Sequence, residues 1–142
     1  KEQVMVTLKT PKMMYAQGFL QKVFTIIAEH KLSVDLITTS EISVSFTLDN
    51  PANSVLKRIN QETIEELSQF CDVLIEENYD LITVVGNNMH SAAGVSSKIF
   101  AAVADYNLRM ICYGANPHNL SLLVSDADSR DVVCGLHKAL FE

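Results

Sequence analysis

The chain has 142 residues, 48% hydrophobic and 20% charged, with 11 Lys and Arg against 17 Asp and Glu. That length holds one ordinary domain or two small ones, while a formal charge of −6 argues against general nucleic-acid binding, which needs a basic surface. No apolar run reaches the roughly 20 residues that span a bilayer, Lys1-Glu2 opens no signal-peptide pattern, and the widely spaced Cys71, Cys112 and Cys134 give neither a disulfide framework nor a paired metal motif, so a reducing cytoplasm is expected.

Val4, Val6 and Leu8 alternate as in a half-buried strand. A polar loop then runs to Gly18, and Leu20, Val23, Phe24 and Ile27 recur at helical spacing, the stripe of an amphipathic helix. Ser33 to Thr38 reads as a second strand. Ile42, Val44, Phe46 and Leu48, with Ser43, Ser45 and Thr47 between them, read as a third with one buried and one wet face. Asn50-Pro51 closes it and opens a helix over about 53–70, with Leu56, Ile59, Ile64 and Leu67 inward; Val73 and Ile75 mark a fourth strand. Leu81 to Val85 is a further strand, Val95, Ile99, Val103 and Tyr106 a helical stripe, Leu120 to Val124 a strand, and about 129–140 a closing helix.

The second half repeats the first. A shift of 76 positions aligns residues 4–48 with 80–124 without a gap, and nine of 45 pairs are identical, among them Thr7/Thr83, Gly18/Gly94, Phe24/Phe100 and Ser45/Ser121. Two α+β modules follow, residues 1–77 and 78–142, each of the ferredoxin-like βαββαβ order with an antiparallel sheet and helices on one face. The second ends in a helix and lacks its last strand. Its open edge would be costly, so a segment preceding Lys1 or belonging to a partner chain is expected to cover it. The absence of a starting Met fits a fragment of something longer.

This fold order serves RNA binding, metal transport and small-molecule sensing alike. The wet face of the third strand carries Ser43, Ser45 and Thr47 rather than aromatic and basic residues, against RNA recognition. The first loop has no Cys pair for a metal, and His30, His90, His118 and His137 are scattered. No Gly-rich phosphate loop, nucleophile elbow or His-Glu-x-x-His occurs, so no catalytic residue and no metal ligand is assigned. Glu62 to Glu66 and Glu76-Glu77 read as solvated surface.

One constellation rises above this background. Asp35, flanked by Val34 and Leu36, is an awkward carboxylate unless a cation reaches it. The helix start around Gly18 offers free N–H groups to an anion. A zwitterion with a second cationic end would satisfy both. The plainer alternative is that Asp35 is exposed on an edge strand and Gly18 merely permits a turn. In the repeat, Asp35 aligns with Ile111, Ser40 with Asn116 and Glu41 with Pro117, so an amino-cation site would belong to the first module alone.

Gln17-Gly18-Phe19-Leu20 with Val23-Phe24, and the string Ser33-Val34-Asp35-Leu36-Ile37-Thr38-Thr39-Ser40-Glu41, resemble the tandem ACT regulatory region of lysine-sensitive aspartate kinases. Val85-Gly86-Asn87, 109–115 and the terminal Leu140-Phe141-Glu142 resemble the end of the same enzymes, so the similarity covers essentially the whole chain. The resemblance implies a non-catalytic fragment that binds L-lysine for feedback inhibition, while ATP and Mg belong to a kinase domain N-terminal to it. It implies homodimers in which first modules pair side by side with lysine between them, and a second module serving assembly. It also implies lysine contacts from Met13, Gly18, Phe19, Leu20, Ser33, Val34, Asp35, Ser40 and Glu41. Asp35 and Glu41 would take the ammonium groups, the N–H groups of Gly18 to Leu20 the carboxylate, and Met13 and Phe19 the aliphatic stem. Ala16 stands where the family often has Ser, which removes a hydroxyl contact. Alternatives are an ACT sensor of threonine, another amino acid or S-adenosylmethionine, or a ligand-free dimerisation module; neither nucleic acid nor membrane is an expected partner.

Overall fold

In the computed structural model, which describes residues 2–11, 17–49 and 59–142, the chain divides into two compact units, Glu2–Glu77 and Asn78–Glu142. The described elements are β1 (Gln3–Lys9), α1 (Phe19–Glu29), β2 (Val34–Thr39), β3 (Ser43–Asp49), α2 (Gln61–Ser68), β4 (Asp72–Val85), α3 (Val95–Ala102), β5 (Leu108–Tyr113), β6 (Asn119–Ser125) and α4 (Ser129–Phe141). The order is the α+β, ferredoxin-like one read from hydrophobic period. The two segments expected as separate strands, around Val73–Ile75 and Leu81–Val85, are one strand. It passes from the first unit into the second at Asn78, whose φ of 65° is a left-handed conformation that Asn tolerates better than most residues.

The first unit orders its strands β2-β3-β1-β4, with β3 antiparallel to both β1 and β2. Its core joins Val4, Val6 and Leu8 of β1, Val44, Phe46 and Leu48 of β3, and Phe19, Val23, Ile26 and Ile27 of α1. Complete burial of Phe46, against which Phe24 tilts at 6.0 Å, is worth about 1.5–3 kcal/mol. The buried stripe of α1 starts at Phe19, one residue before the expected Leu20, which is 39% exposed. Just past α1, beyond its cap at His30, Lys31 is left-handed at φ 56°. The N–H of Leu32 bonds the Ile27 carbonyl and that of Lys31 the Ala28 carbonyl, while Leu32 and Ile27 pack in the core.

The expected helix over 53–70 is shorter. Residues 53–58, and Leu56 with them, lie outside the described residues, and Ile59-Asn60 is not helical. Asn60 Oδ1 accepts from the Thr63 N–H at 2.9 Å and from the Thr63 hydroxyl at 2.8 Å, so α2 begins at Gln61 with an Asn cap. His30 and Glu66 join α1 to α2 at 2.7 Å.

The second unit orders its strands β4-β6-β5, again antiparallel, over a core of Ile99, Val103, Leu120, Leu122, Val124, Val132 and Leu136. α3 stops at Ala102, and Val103 and Tyr106 pack from the turn that follows. The C-terminal part of β4 is this sheet's edge among the described residues. A cleft of about 450 Å³ lies along it, between residues 80–85 and α4, with Val85, Val133 and Phe141 exposed.

Both units keep one hydroxyl pair: Thr7 with Ser45 at 2.9 Å and Thr83 with Ser121 at 3.0 Å, directly opposed in each sheet. The ungapped repeat fails at the edge strand, however. Val34 pairs with Leu48 and Ile37 with Phe46, whereas Leu108 pairs with Val124 and Ile111 with Leu122. β5 is therefore displaced by two residues relative to the 76-residue shift, and the counterpart of Asp35 is Arg109, not Ile111. The loop before β5 is shorter and the turn after it longer, and strand pairing overrides linear alignment.

Candidate functional site

Register fixes the two ends of the first unit's sheet. Lys9 pairs with Ser43 at one end and Gln3 with Asp49 at the other, about 20 Å away at ~3.4 Å per residue. β2 is parallel to β1, so its first residues lie at the Gln3 end and its last at the Lys9 end.

At the Lys9 end, Phe70 lines a cleft of about 310 Å³ with Lys9, Thr10 and Pro11, and Phe19 packs edge-on to Phe70 at 5.8 Å. This places the N-terminus of α1 there. Gly18 caps it at φ 82° with no side-chain cap bond, and the first N–H groups of a helix have no partner within the helix itself. Leu20 stands outward next to the buried Phe19. The β2–β3 turn reaches the same end. The N–H of Ser40 bonds the Ser43 carbonyl at 2.8 Å, their hydroxyls meet at 2.7 Å, and Glu41 stands exposed at the tip.

Ser33, Val34 and Asp35 lie at the opposite end. Ser33 is exposed, and Val34 packs half-buried on the core. Asp35 opens an irregularity in the β2–β3 pairing between Val34 and Ile37, where the Leu36 N–H finds the Thr47 hydroxyl at 3.1 Å. Thr47, expected on the wet face, is fully buried, as is Met5, which it pairs with on β1. Asp35 is exposed on its edge. Partial burial is the main reason its carboxyl titrates above the ordinary carboxylate value; nearby Asp49 adds to the shift, and a hydrogen bond from Gln3 opposes it.

The residues expected to form one site are thus divided. Gly18, Phe19, Leu20, Ser40 and Glu41 share one end, and Ser33, Val34 and Asp35 the other; Met13 lies outside the described residues. Within one chain, Asp35 and the α1 N-terminus do not face a common zwitterion. The helix runs back along the sheet, so the strand following it starts at the far end. Gln3 and Asp49 were not singled out from sequence, because only the β1–β3 register puts them beside Asp35. Gln3 is buried and Asp49 half-buried, and no motif in the sequence marks either.

Among the described residues no group of three or more His, Cys, Asp or Glu could hold a metal, and no helix is long and apolar enough to cross a membrane. Burial, with Asp72 adding to it, pushes the Cys71 thiol up to about 11, so it is not a nucleophile near neutrality.

Two ferredoxin-like modules, with a glycine-capped helix and an acidic edge strand in the first, define a regulatory module of the ACT kind. Residues 82–140 match the ACT domain family. Across its whole length the chain is 43% identical to lysine-sensitive aspartokinase 3 of Escherichia coli, of which it spans 32%. It superposes with a TM-score of 0.87 on E. coli aspartokinase III in complex with lysine and aspartate in the T-state, at 44% identity, covering 99% of this chain and 32% of that one. A proposed C-terminal regulatory domain of aspartate kinase from Porphyromonas gingivalis gives 0.80 at 28% identity, with 100% and 94% covered. The chain belongs to the aspartokinase family as its regulatory ACT region, of the aspartokinase III type. It spans between about a quarter and a third of the length of the curated relatives it matches.

Proposed function

We propose that this chain is the allosteric region of a cytoplasmic aspartate kinase and binds L-lysine between the first modules of two copies, for feedback inhibition of aspartate-family amino-acid biosynthesis. Aspartate phosphorylation, with its ATP and Mg, belongs to a kinase domain outside these 142 residues. The observation carrying this reading is the division of the site. Asp35, near the start of β2, and Glu41, in the turn beyond its end, are six residues and about 20 Å apart, whereas the two nitrogens of lysine, six single bonds apart, are separated by about 7 Å. One chain cannot grip one lysine with both carboxylates. Two chains can: if the β2 edges meet antiparallel around Thr38, Asp35 of one copy falls opposite Glu41 of the other. The same meeting brings the α1 N-terminus and Leu20 of one copy toward Asp35 of its neighbour, so N–H groups are available for the carboxylate and a carboxylate for the ammonium. Ser33, Val34, Ser40 and Phe19 complete the lining.

Two related sites form by symmetry. Lysine shifts the enzyme only insofar as it binds the inactive arrangement better, typically by ~1–3 kcal/mol. The second unit, with Arg109 in place of Asp35, offers no ammonium partner there and serves assembly; the cleft along β4 accommodates a further segment of the protein or of a partner. Calorimetry with lysine, threonine and methionine, with sedimentation at lysine saturation, tests the reading. Lysine binding to a dimer is expected. A threonine-selective or inert protein, or a lysine-saturated monomer, refutes it.

A further inference from the structure

Three polar side chains from three strands converge at the Gln3 end of the first sheet. Gln3, only 3% exposed on β1, donates from Nε2 to Asp49 Oδ1 on β3, and both stand close enough to Asp35 on β2 to bear on its titration, Asp49 upward and Gln3 downward. Its carbonyl oxygen Oε1 is buried with no donor among the described residues. A buried acceptor without a partner costs free energy. A stability-driven choice at this position would be apolar, or an amide satisfied on both sides. The amide is instead spent on one carboxylate, with a second, that of Asp35, beside it.

The second unit supplies the control. Tyr79 pairs with Ser125 in the register in which Gln3 pairs with Asp49, and the edge position beside them is Arg109. The sheet, the edge irregularity and the hydroxyl pair all persist there, while Gln, Asp and Asp have become Tyr, Ser and Arg. The triad is therefore dispensable for this fold. Its three members differ together, and the local charge changes from two negatives to one positive.

We infer that Gln3 and Asp49 are positioning and specificity residues for the ammonium-binding carboxylate of Asp35, Gln3 by holding its orientation and Asp49 by adding the second negative charge that favours a cationic effector. This inference rests on the lysine-binding reading above. Gln3 and Asp49 act through Asp35 and need not touch the effector. The arrangement has a recognisable electrostatic signature. Asp49 raises the Asp35 carboxyl and the Gln3 hydrogen bond lowers it, so removing each neighbour moves the same titration in opposite directions.

The test uses the 142-residue chain, L-lysine as probe, and three variants. D49N keeps an acceptor for Gln3 and removes the charge, Q3M keeps the length of the side chain and removes the donor, and Q3E keeps shape but adds repulsion. Carbon-13 titration of the Asp35 carboxyl in ligand-free protein is expected to move down in D49N and up in Q3M. Calorimetry is expected to show lysine Kd raised about 3- to 10-fold in D49N and Q3M, and more in Q3E. Lysine affinity unchanged in folded variants overturns the proposal, as does weakened binding with an unmoved Asp35 titration, which leaves only a packing role. Wild-type protein that ignores lysine refutes the functional reading instead. The opposed titration shifts then still report whether Gln3 and Asp49 control Asp35.

Discussion

A site assembled from two chains can be tested by complementation. D35A and E41A each remove one carboxylate, one near the start of β2 and one in the turn beyond its end. Each deletes a charge-assisted contact to an ammonium, worth about 1.5–3 kcal/mol, so lysine affinity should fall roughly 10- to 150-fold in either homodimer. In a mixed dimer the two lesions segregate. One site combines both defects, and the other combines the intact Asp35 of one copy with the intact Glu41 of its neighbour. Random re-association makes about half of all dimers mixed, each with one sound site of two, so about a quarter of the wild-type sites should return at full affinity. Calorimetry after unfolding and refolding the two variants together reads that fraction as stoichiometry, and the unmixed variants are controls. Absence of any recovered high-affinity site refutes the shared-site geometry. Wild-type affinity in either single variant removes that carboxylate from the site.

The raised titration of Asp35 has consequences for both binding and stability. Its ionised form costs stability at neutral pH, and the cost disappears as pH falls through the raised value; D35N should therefore raise the Tm of the ligand-free chain at pH 7 while weakening lysine binding, and a lowered Tm would contradict this. Lysine binding to the wild type should fade on acidification, starting above the ordinary carboxylate range, and calorimetry across pH 4–7 with ~1-unit steps reads this directly. K31G should stabilise the first unit by about 1 kcal/mol in urea denaturation, because Lys31 holds a left-handed conformation after α1 that costs any residue with a Cβ. With a maleimide at pH 7, the exposed Cys134 should react well before Cys71, which is buried, donates to the Leu67 carbonyl and has its thiol pushed up to about 11; equal rates would contradict the packing around Cys71.

Hydrophobic period is a local property, and what it encodes was legible. The alternation of Val4, Val6 and Leu8, the Ile99 to Val103 stripe and the 76-residue recurrence lead to the α+β, ferredoxin-like order of elements, and the Ser33 to Glu41 string leads to the family. Tertiary pairing decided the rest. The two-residue displacement of β5 turned the counterpart of Asp35 from Ile111 into Arg109, since hydrogen bonds to β6 choose a register that an ungapped alignment ignores. Thr47, expected on a wet face, is buried beside its β1 partner Met5, and its hydroxyl serves the Leu36 N–H. Asp35 and Glu41, six residues apart in sequence, proved to stand at opposite ends of a sheet, while Gln3, Asp35 and Asp49 came together across distances no linear motif spans. Side-chain type determined which groups could bind an amino acid; only strand direction and register decided which of them one ligand can reach, because charge acts through space and sequence period carries no information about neighbouring strands.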